Sequence, residues 1–308
     1  MGAYARIETR TAKVARIAEP FGTMMKSMLP SSHRRPPLPL DPQAPLLGQI
    51  GSLEVRLARS KDEIRAAQEL RYRVFYEEMS AKASPIQKVT RRDRDAFDRN
   101  CDHLLVLDRA RGGETAGQIV GTYRLLRQSQ ALHTGGFYTA QEFEIDGLVA
   151  RHPDKRFLEL GRSCVLKDYR SKRTVELLWQ GIYAYVVQHR IDVLFGCASL
   201  AGTDSAALAG PLAFLRDNAP APEAWRVAAV PSRRVPLPAD AVCLDAKRAL
   251  GALPPLLKGY LRLGGYVGED AVVDRQFNTT DVLIVLPFEN IKQRYLTHFG
   301  GEATRTAA

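Results

Sequence analysis

A charged pair interrupts an otherwise apolar stretch in the middle of the chain. Residues 157–165 read Phe-Leu-Glu-Leu-Gly-Arg-Ser-Cys-Val, which predicts a strand that contains Glu159 and Arg162. Burying a carboxylate and a guanidinium is costly unless the two groups are paired or used. Residues three apart point to opposite faces of a regular strand, but a bulge at Gly161 would bring both to one face. An edge strand with both charges in water is the alternative.

Glu159 and Arg162 are therefore the candidate catalytic residues. A carboxylate that a guanidinium holds in its ionised form can act as a general base for an amine. Backbone N–H groups exposed by a bulge near Ser163 would supply an oxyanion hole. Cys164 could instead act as a nucleophile, but no His is placed to activate its thiol, so a buried strand cysteine is favoured.

Five residues upstream of this strand could bind a substrate. A capping box predicts a helix from Ser60 to about Ser80. A charged loop over 81–102, too long for a plain connector, and a strand over 118–126 follow. Taken singly, such residues are typical of a solvated helix face, a loop turn or a strand edge. The five residues are Arg71 and Phe75 on the helix, Asp95 and Asp98 in the loop, and Arg124 on the strand.

Strands and helices continue to alternate along the rest of the chain, which predicts one layered α/β structure. Helices are predicted over 139–150, 172–190, 205–217 and 254–262 and from residue 289, and strands over 192–199, 225–230 and 281–286.

The order of the four charged motifs resembles one superfamily. The series R-x-x-V-F, D-x-x-D, G-x-x-R and E-x-x-R-x-x-V resembles the branch of GNAT N-acyltransferases that takes acyl groups from acyl carrier protein. Autoinducer synthases and bacterial ornithine-lipid N-acyltransferases carry this order. The chain is more similar to the second group, through residues 71–78, 158–165 and 277–285. The resemblance covers about residues 53–298.

This resemblance implies an α/β GNAT fold with a central mixed, mostly antiparallel sheet, flanking helices and a C-terminal elaboration. It also implies transfer of a long-chain 3-hydroxyacyl group from acyl carrier protein to the α-amino group of L-ornithine, giving lyso-ornithine lipid. No bound cofactor and no metal are expected. Asp95 and Asp98 would bind the cationic end of ornithine, Arg71 or Arg124 would bind its carboxylate, and Phe75 would line the same site.

One segment departs from the coenzyme A-dependent members of the superfamily. These usually carry a Gly-rich turn at the start of the next helix, where backbone N–H groups bind a pyrophosphate. Here residues 169–174 read Tyr-Arg-Ser-Lys-Arg-Thr. Arg170, Lys172 and Arg173 would instead face the single phosphate of a pantetheine arm and its acidic carrier protein, with Ser163, Cys164 and Val165 along the arm. A basic, solvated helix start is the alternative.

The charge is unevenly distributed along the 308 residues. The net charge is +10 and the pI about 9.6, which favours an acidic partner. Residues 1–50 carry +4 of it and include six prolines between Pro30 and Pro45. We therefore predict an N-terminal basic, Pro-rich extension, tail and linker, over 1–50, ahead of a single acyltransferase domain over 51–308.

The basic and apolar residues of the tail predict peripheral contact with an anionic membrane surface, and a disordered tail is the alternative. No apolar run is long enough to span a bilayer, and no export signal precedes the domain. We therefore expect a cytoplasmic protein, which lies at the inner face of the cytoplasmic membrane if the tail contacts lipid.

Other function classes remain open. An autoinducer synthase using S-adenosylmethionine is less favoured, because Glu77–Ser80 continues without a Trp and the chain has an additional C-terminal third. N-acylation of another amine is a closer alternative. A non-catalytic module for nucleic acid or membrane would cluster its cations among aromatic residues, whereas here they are scattered, so no nucleic-acid partner is expected.

Overall fold

A single sheet organises the part of the chain that the computed structural model describes, residues 38–204, 206–235, 243, 245–292, 295 and 297. The membrane-contact prediction for the tail falls largely on residues 1–37, outside the described residues. The strands are β1 (Leu46–Ile50), β2 (Leu53–Leu57), β3 (Asp102–Asp108), β4 (Ile119–Arg127), β5 (Phe157–Val165), β6 (Val193–Ala201), β7 (Arg234–Val235), β8 (Tyr266–Asp274) and β9 (Thr279–Pro287).

The strands lie in the order β1-β2-β3-β4-β5-β6-β9-β8-β7. All neighbouring strands are antiparallel except β5 and β6, which are parallel. The predicted α/β class with a mixed, mostly antiparallel sheet is therefore confirmed. Strands β7, β8 and β9 form the C-terminal elaboration beside β6.

Helices cover both faces of the sheet. One face of the sheet packs against α6 to α9, and the other packs against α1 and α5. Successive residues of a strand point to opposite faces, so the central strands contribute side chains to apolar clusters on both sides. No helix among the described residues is both long and apolar enough to cross a membrane. The helices are α1 (Lys61–Tyr72), α2 (Pro85–Thr90), α3 (Thr115–Gln118), α4 (Gln128–Ala131), α5 (Ile145–Arg151), α6 (Lys172–His189), α7 (Ala209–Asn218), α8 (Ala246–Ala252) and α9 (Pro255–Leu263).

Helix α1 begins where the capping box predicts. The Ser60 hydroxyl accepts a hydrogen bond from the N–H of Glu63, whose buried carboxylate pairs with Arg56 on β2 at 2.7 Å. After α1 the chain widens into a π-helical turn over Arg73–Glu78. Such turns are frequent at functional sites, and this one directs the hydroxyl of Tyr76 to a carboxylate oxygen of Asp93.

Strands β5 and β6 pair only near their N-terminal ends and then separate. Their pairing covers Phe157 to Glu159 of β5, and from Gly196 onward β6 pairs only with β9 within the described strands. Gly196 lies at the vertex of this opening: a Cβ there would lie 2.3 Å from the carbonyl oxygen of Leu160. Glycine therefore permits the close approach from which the two strands diverge.

The structure differs from the sequence predictions in several elements. The strand predicted over 225–230 is wrong: a 3-10 turn, Glu223–Trp225, precedes a single bridge between Ala229 and Phe143. Strand propensity depends on neighbouring strands, and this segment has no ladder to join. Strands β1 and β8 were not predicted, α2 lies inside the predicted 81–102 loop, and the helix predicted from residue 289 begins with a 3-10 turn over Phe288–Asn290.

Candidate active site

Strand β5 contains the predicted bulge. Gly161 pairs with Arg124 of β4, and Cys164 pairs with Thr122. Between these two pairs, two residues of β5 lie opposite one residue of β4. Arg162 has a φ of 52°, in the left-handed region. The backbone strain therefore falls on Arg162 rather than on Gly161, whose Cβ position is open. The bulge brings Glu159 and Arg162 to the same face, as predicted.

Glu159 is buried and holds the turn that follows α4. Its carboxylate accepts hydrogen bonds from the Tyr138 N–H at 2.9 Å, the Thr139 N–H at 2.6 Å and the Thr139 hydroxyl at 2.5 Å. Burial raises the pKa of Glu159, although these hydrogen bonds oppose the shift. The predicted pairing of Glu159 with Arg162 is wrong, because Tyr138 and Thr139 hold the carboxylate instead.

Arg162 lies between two aromatic rings at the edge of the opening. Its guanidinium carbon is 4.7 Å from the ring centre of Tyr138 and 4.9 Å from that of Phe277. Nε lies 3.2 Å from an oxygen of Asp93, and Nη2 lies 3.5 Å from one of Asp95. The side chain is 13% exposed. Nη1 makes no hydrogen bond to any described residue, so it can donate to a ligand.

The other two arginines of the predicted site are buried in ion pairs. Arg71 contacts Asp93 at 2.9 Å and Asp98 at 2.8 Å. Arg124 contacts both oxygens of Asp95 at 2.7 Å and one of Asp98 at 3.2 Å. Burial alone would raise the pKa of Asp98, but Arg71 and Arg124 outweigh it and hold that pKa well below its usual range.

This network changes how four of the five predicted substrate-binding residues are interpreted. Asp95 and Asp98 are engaged by arginines rather than open to a cationic ligand, and Arg71 and Arg124 are engaged by these acids. Together they fasten the 93–98 segment to α1 and β4. Phe75 instead belongs to an aromatic wall, because its ring meets that of Phe277 edge-on at 5.6 Å.

A second group of acids on the same face had no clear signal in the sequence. Glu142 and Asp281 are both buried, and they lie with Cys197 so that one carboxylate oxygen of each acid and the thiol sulfur are within 4.8 Å of one another. Glu142 lies in a segment whose pattern predicted a helix. Asp281 begins an apolar strand run, and a buried acid there is the one local feature that could have indicated it.

The predicted carrier-binding residues lie beyond the bulge and at the start of α6. Cys164 is buried and its burial raises the pKa of the thiol, which is typical of a structural cysteine. Ser171 caps α6 by accepting a hydrogen bond from Thr174. Arg170 pairs with Glu78, whereas Lys172 and Arg173 are exposed and form no ion pair with the described residues.

A parallel strand pair that opens at a bulge, with charged groups on one face and a capped helix start beyond it, defines an N-acyltransferase of the GNAT class. A family model described as an acetyltransferase (GNAT) domain matches residues 70–180. Among solved structures, the chain is similar to a coenzyme A-dependent acyl-homoserine lactone synthase, BjaI. The TM-score is 0.43 at 14% identity, over 80% of this chain and 83% of that one.

Curated relatives are much more similar. L-ornithine N(alpha)-acyltransferase of Agrobacterium fabrum is 56% identical over 263 residues, which cover 84% of this chain and 89% of the relative. The enzyme of the same name from Rhizobium meliloti is 55% identical over 267 residues, covering 86% and 90%. The chain belongs to the L-ornithine N(alpha)-acyltransferase family.

Proposed function

We propose that this acyltransferase moves a long-chain 3-hydroxyacyl group from acyl carrier protein to the α-amino group of L-ornithine, giving lyso-ornithine lipid. The observation that carries the proposal is the opening between β5 and β6, with Glu159 and Arg162 on one side of its vertex and cations at the start of α6 beyond the bulge. The name shared by the relatives at 55–56% identity supports ornithine as the acceptor.

The donor arm fits the unpaired edge of β5. Beyond Glu159 this strand pairs with β4 alone among the described residues. An extended pantetheine arm can bond to such an edge as an added strand does. Backbone N–H groups at the bulge, near Ser163, would polarise the thioester carbonyl, while Lys172 and Arg173 would meet the phosphate and the acidic carrier protein.

The acceptor carboxylate fits Arg162. Its guanidinium is pre-oriented by Tyr138 and Phe277, and Nη1 remains available. A charge-assisted hydrogen bond to a carboxylate is among the stronger polar contacts in proteins. Arg162 replaces Arg71 and Arg124 in this role. All three make ion pairs, but the side chains of Arg71 and Arg124 are only 0% and 4% exposed, whereas that of Arg162 is 13% exposed.

Glu159 is our proposed base. It is the last residue of β5 before the strands separate, so its carboxylate is next to the vertex. The Oε2 atom accepts a single hydrogen bond, from Tyr138, which leaves a lone pair for the ammonium proton of the acceptor. Burial raises the pKa of Glu159 and makes the carboxylate a better proton acceptor than an exposed one.

The activity is tested with purified protein, 3-hydroxyacyl carrier protein and one amine at a time. We expect N-acylornithine, identified by mass spectrometry, from ornithine. Product from another amine but none from ornithine would contradict the acceptor assignment. Release of methylthioadenosine with S-adenosylmethionine as acceptor would support the autoinducer alternative. Equal rates with the same acyl group on coenzyme A would contradict the preference for a carrier protein.

The exposed side of α2 supports peripheral contact with an anionic membrane. Ile86 is 72% exposed and Val89 is 85% exposed, with the exposed cations Lys82 and Lys88 beside them in the sequence. Apolar side chains flanked by lysines suit the surface of a bilayer rich in anionic lipid. Gln87 of α2 donates to the hydroxyl of Tyr76, which belongs to the active-site network. This surface therefore lies next to the site where a lipid product would be released.

A further inference from the structure

The Glu142, Asp281 and Cys197 group is a buried cluster that the proposed mechanism does not use. Glu142 is 4% exposed and Asp281 is 6% exposed. Cys197 lies on β6 just past the vertex, and Asp281 lies on β9 opposite Ser199. The sheet therefore places Cys197 and Asp281 beside Glu142, so that two carboxylates and a thiol lie together on the face that carries Glu159.

The charge of this cluster is incompletely compensated by the described residues. Arg233, which is partly exposed, reaches Oε1 of Glu142 at 2.9 Å, and the thiol of Cys197 lies 3.4 Å from Oε2. Oδ1 of Asp281 is buried and has no hydrogen-bond partner. Asp274 adds a further negative charge nearby. A buried carboxylate oxygen without a donor is costly, so Oδ1 of Asp281, beside Glu142, can accept from a group that donates hydrogen bonds and carries positive charge.

The ionisation of the cluster agrees with this geometry. Burial, together with the neighbouring charge of Asp281, raises the pKa of Glu142 to about 7, and burial raises the pKa of Asp281 as well. Like charges that share one site cannot both remain ionised cheaply. A bound cation would replace the proton that the two carboxylates otherwise take up.

The cluster is one hydrogen-bonded residue away from the proposed base. Thr139 links them: its hydroxyl donates to Glu159 at 2.5 Å and lies 3.8 Å from the sulfur of Cys197. The two amino groups of an extended 2,5-diamino acid are about 6 Å apart, five bonds of about 1.5 Å each with tetrahedral angles. An acceptor with its α-amine at Glu159 can therefore extend its side chain towards Glu142 and Asp281.

We propose that Glu142 and Asp281 bind the side-chain ammonium group of the acceptor, and that they make the enzyme select a diamino acid over a neutral amino acid of equal length. The proposal rests on the proposed acylation of ornithine. It replaces Asp95 and Asp98, which arginines occupy, as the binding site for this cation.

The test compares L-ornithine with L-norvaline, which has the same carbon chain without the terminal amine. We expect the wild-type enzyme to favour ornithine at least a hundredfold in kcat/KM, because a ligand without the terminal amine leaves the buried Oδ1 of Asp281 without a donor. Glu142→Gln and Asp281→Asn should each lower that ratio at least tenfold. The change should come from a lower kcat/KM for ornithine, while kcat/KM for norvaline is unchanged or higher. Retained norvaline turnover shows that a variant is folded.

Matched controls separate this proposal from the proposed function. Glu269→Gln, an exposed acid on β8 paired with Arg226, should leave the ratio unchanged. If the wild-type enzyme acylates ornithine and both site variants keep the full preference, the ammonium site is overturned and the function stands. If the wild-type enzyme acylates neither amino acid, the proposed function fails.

The same three groups could hold a divalent metal ion, and a further experiment distinguishes the two ligands. We expect dialysis against EDTA to leave the ornithine preference unchanged, and Zn²⁺ to compete with ornithine for the site. A loss of activity on dialysis that Zn²⁺ restores would assign the cluster to a metal and contradict the ammonium site.

Discussion

Glu159 and Arg162 show how one bulge can give two neighbouring charges separate tasks. They share a face of β5, yet Glu159 is held by the Tyr138–Thr139 turn and Arg162 by Asp93 and an aromatic pair. Tyr138 contacts both, Glu159 through its N–H and Arg162 through its ring, but Glu159 and Arg162 do not pair with each other, so each side chain can be altered without removing a partner of the other. The two roles proposed for them can therefore be measured separately.

Replacing Glu159 by Gln should lower kcat by about two orders of magnitude or more, the range that general bases contribute. The amide can still accept hydrogen bonds from Thr139, but it cannot take a proton. Thr139→Val is the matched control, since it removes one hydrogen bond to Glu159 and leaves the carboxylate in place. Its effect on kcat should be much smaller. Equal losses in both variants would mean that Glu159 only positions the turn.

Asp98 provides a prediction about stability and acid pH. Breaking a buried ion pair costs about 3–5 kcal/mol, so Asp98→Asn should lower the free energy of unfolding at neutral pH by several kcal/mol. Asp62→Asn, which removes an exposed partner of Arg65, should cost less than about 1 kcal/mol. Chemical denaturation measures both values, and similar losses in the two variants would contradict the role of the buried network.

The pH dependence of that stability follows from the lowered pKa of Asp98. A carboxyl group whose pKa is lower in the folded than in the unfolded state stabilises the fold fully above the unfolded value, about 4, and this stabilisation is lost as the pH falls towards the folded value. The wild-type protein should therefore lose stability below about pH 4. Asp98→Asn should lose less over the same interval.

At the scale of elements, the active site depends on how two strands separate. β5 and β6 are parallel for three residue pairs, after which β5 stays with β4 and β6 stays with β9. The bulge in β5 and the close contact at Gly196 lie next to that point. Neither strand creates the opening alone, because the free edge of β5 appears only where β6 turns away from it, and the reverse holds for β6.

Gly196→Ala should disturb the point where β5 and β6 separate. The new Cβ would lie 2.3 Å from the carbonyl oxygen of Leu160, so the backbone of one strand must move. We expect a lower melting temperature and a large loss of acyl transfer. Gly161→Ala is the matched control: its Cβ would meet nothing within 4 Å, and the melting temperature should be unchanged. A wild-type melting temperature and activity in Gly196→Ala would mean that the strands can separate without this contact.

At the scale of the whole molecule, its positive charge is consistent with two acidic partners on different surfaces. Reversing the charge of Lys172 and Arg173 together should raise KM for acyl carrier protein at least tenfold at low salt, with a smaller effect at high salt. KM for the same acyl group on free pantetheine should change little. Lys247→Glu together with Arg248→Glu, two exposed residues of α8, is the control for net charge, and an equal effect there would contradict a specific docking site.

The membrane surface makes a separate prediction. Replacing Ile86 and Val89 by Ser should weaken co-flotation with vesicles of phosphatidylglycerol, while acyl transfer to ornithine in solution is retained. Leu132→Ser removes an apolar side chain that is also exposed but lies outside α2, and it should not affect flotation. Equal flotation of all three proteins would assign membrane contact to another part of the chain.

The sequence by itself determined the class of fold, the strand that carries Glu159 and Arg162, and the bulge between them. These features depend on local periodicity and on the cost of burying charge, which neighbouring residues are sufficient to indicate. Helix α1 and its cap were predictable for the same reason.

Only the tertiary structure decided which charges neutralise one another. Asp98 meets Arg71 across 27 residues and Arg124 across 26, and Asp281 on the C-terminal strand β9 meets Glu142, which precedes α5. A single sequence specifies that an acid is present but not its partner, because the energy of a charge depends on burial and on neighbours that the fold brings from a distance. For that reason the arginines and acids predicted to bind substrate proved to bind each other, and the cluster proposed for the acceptor ammonium emerged only in three dimensions.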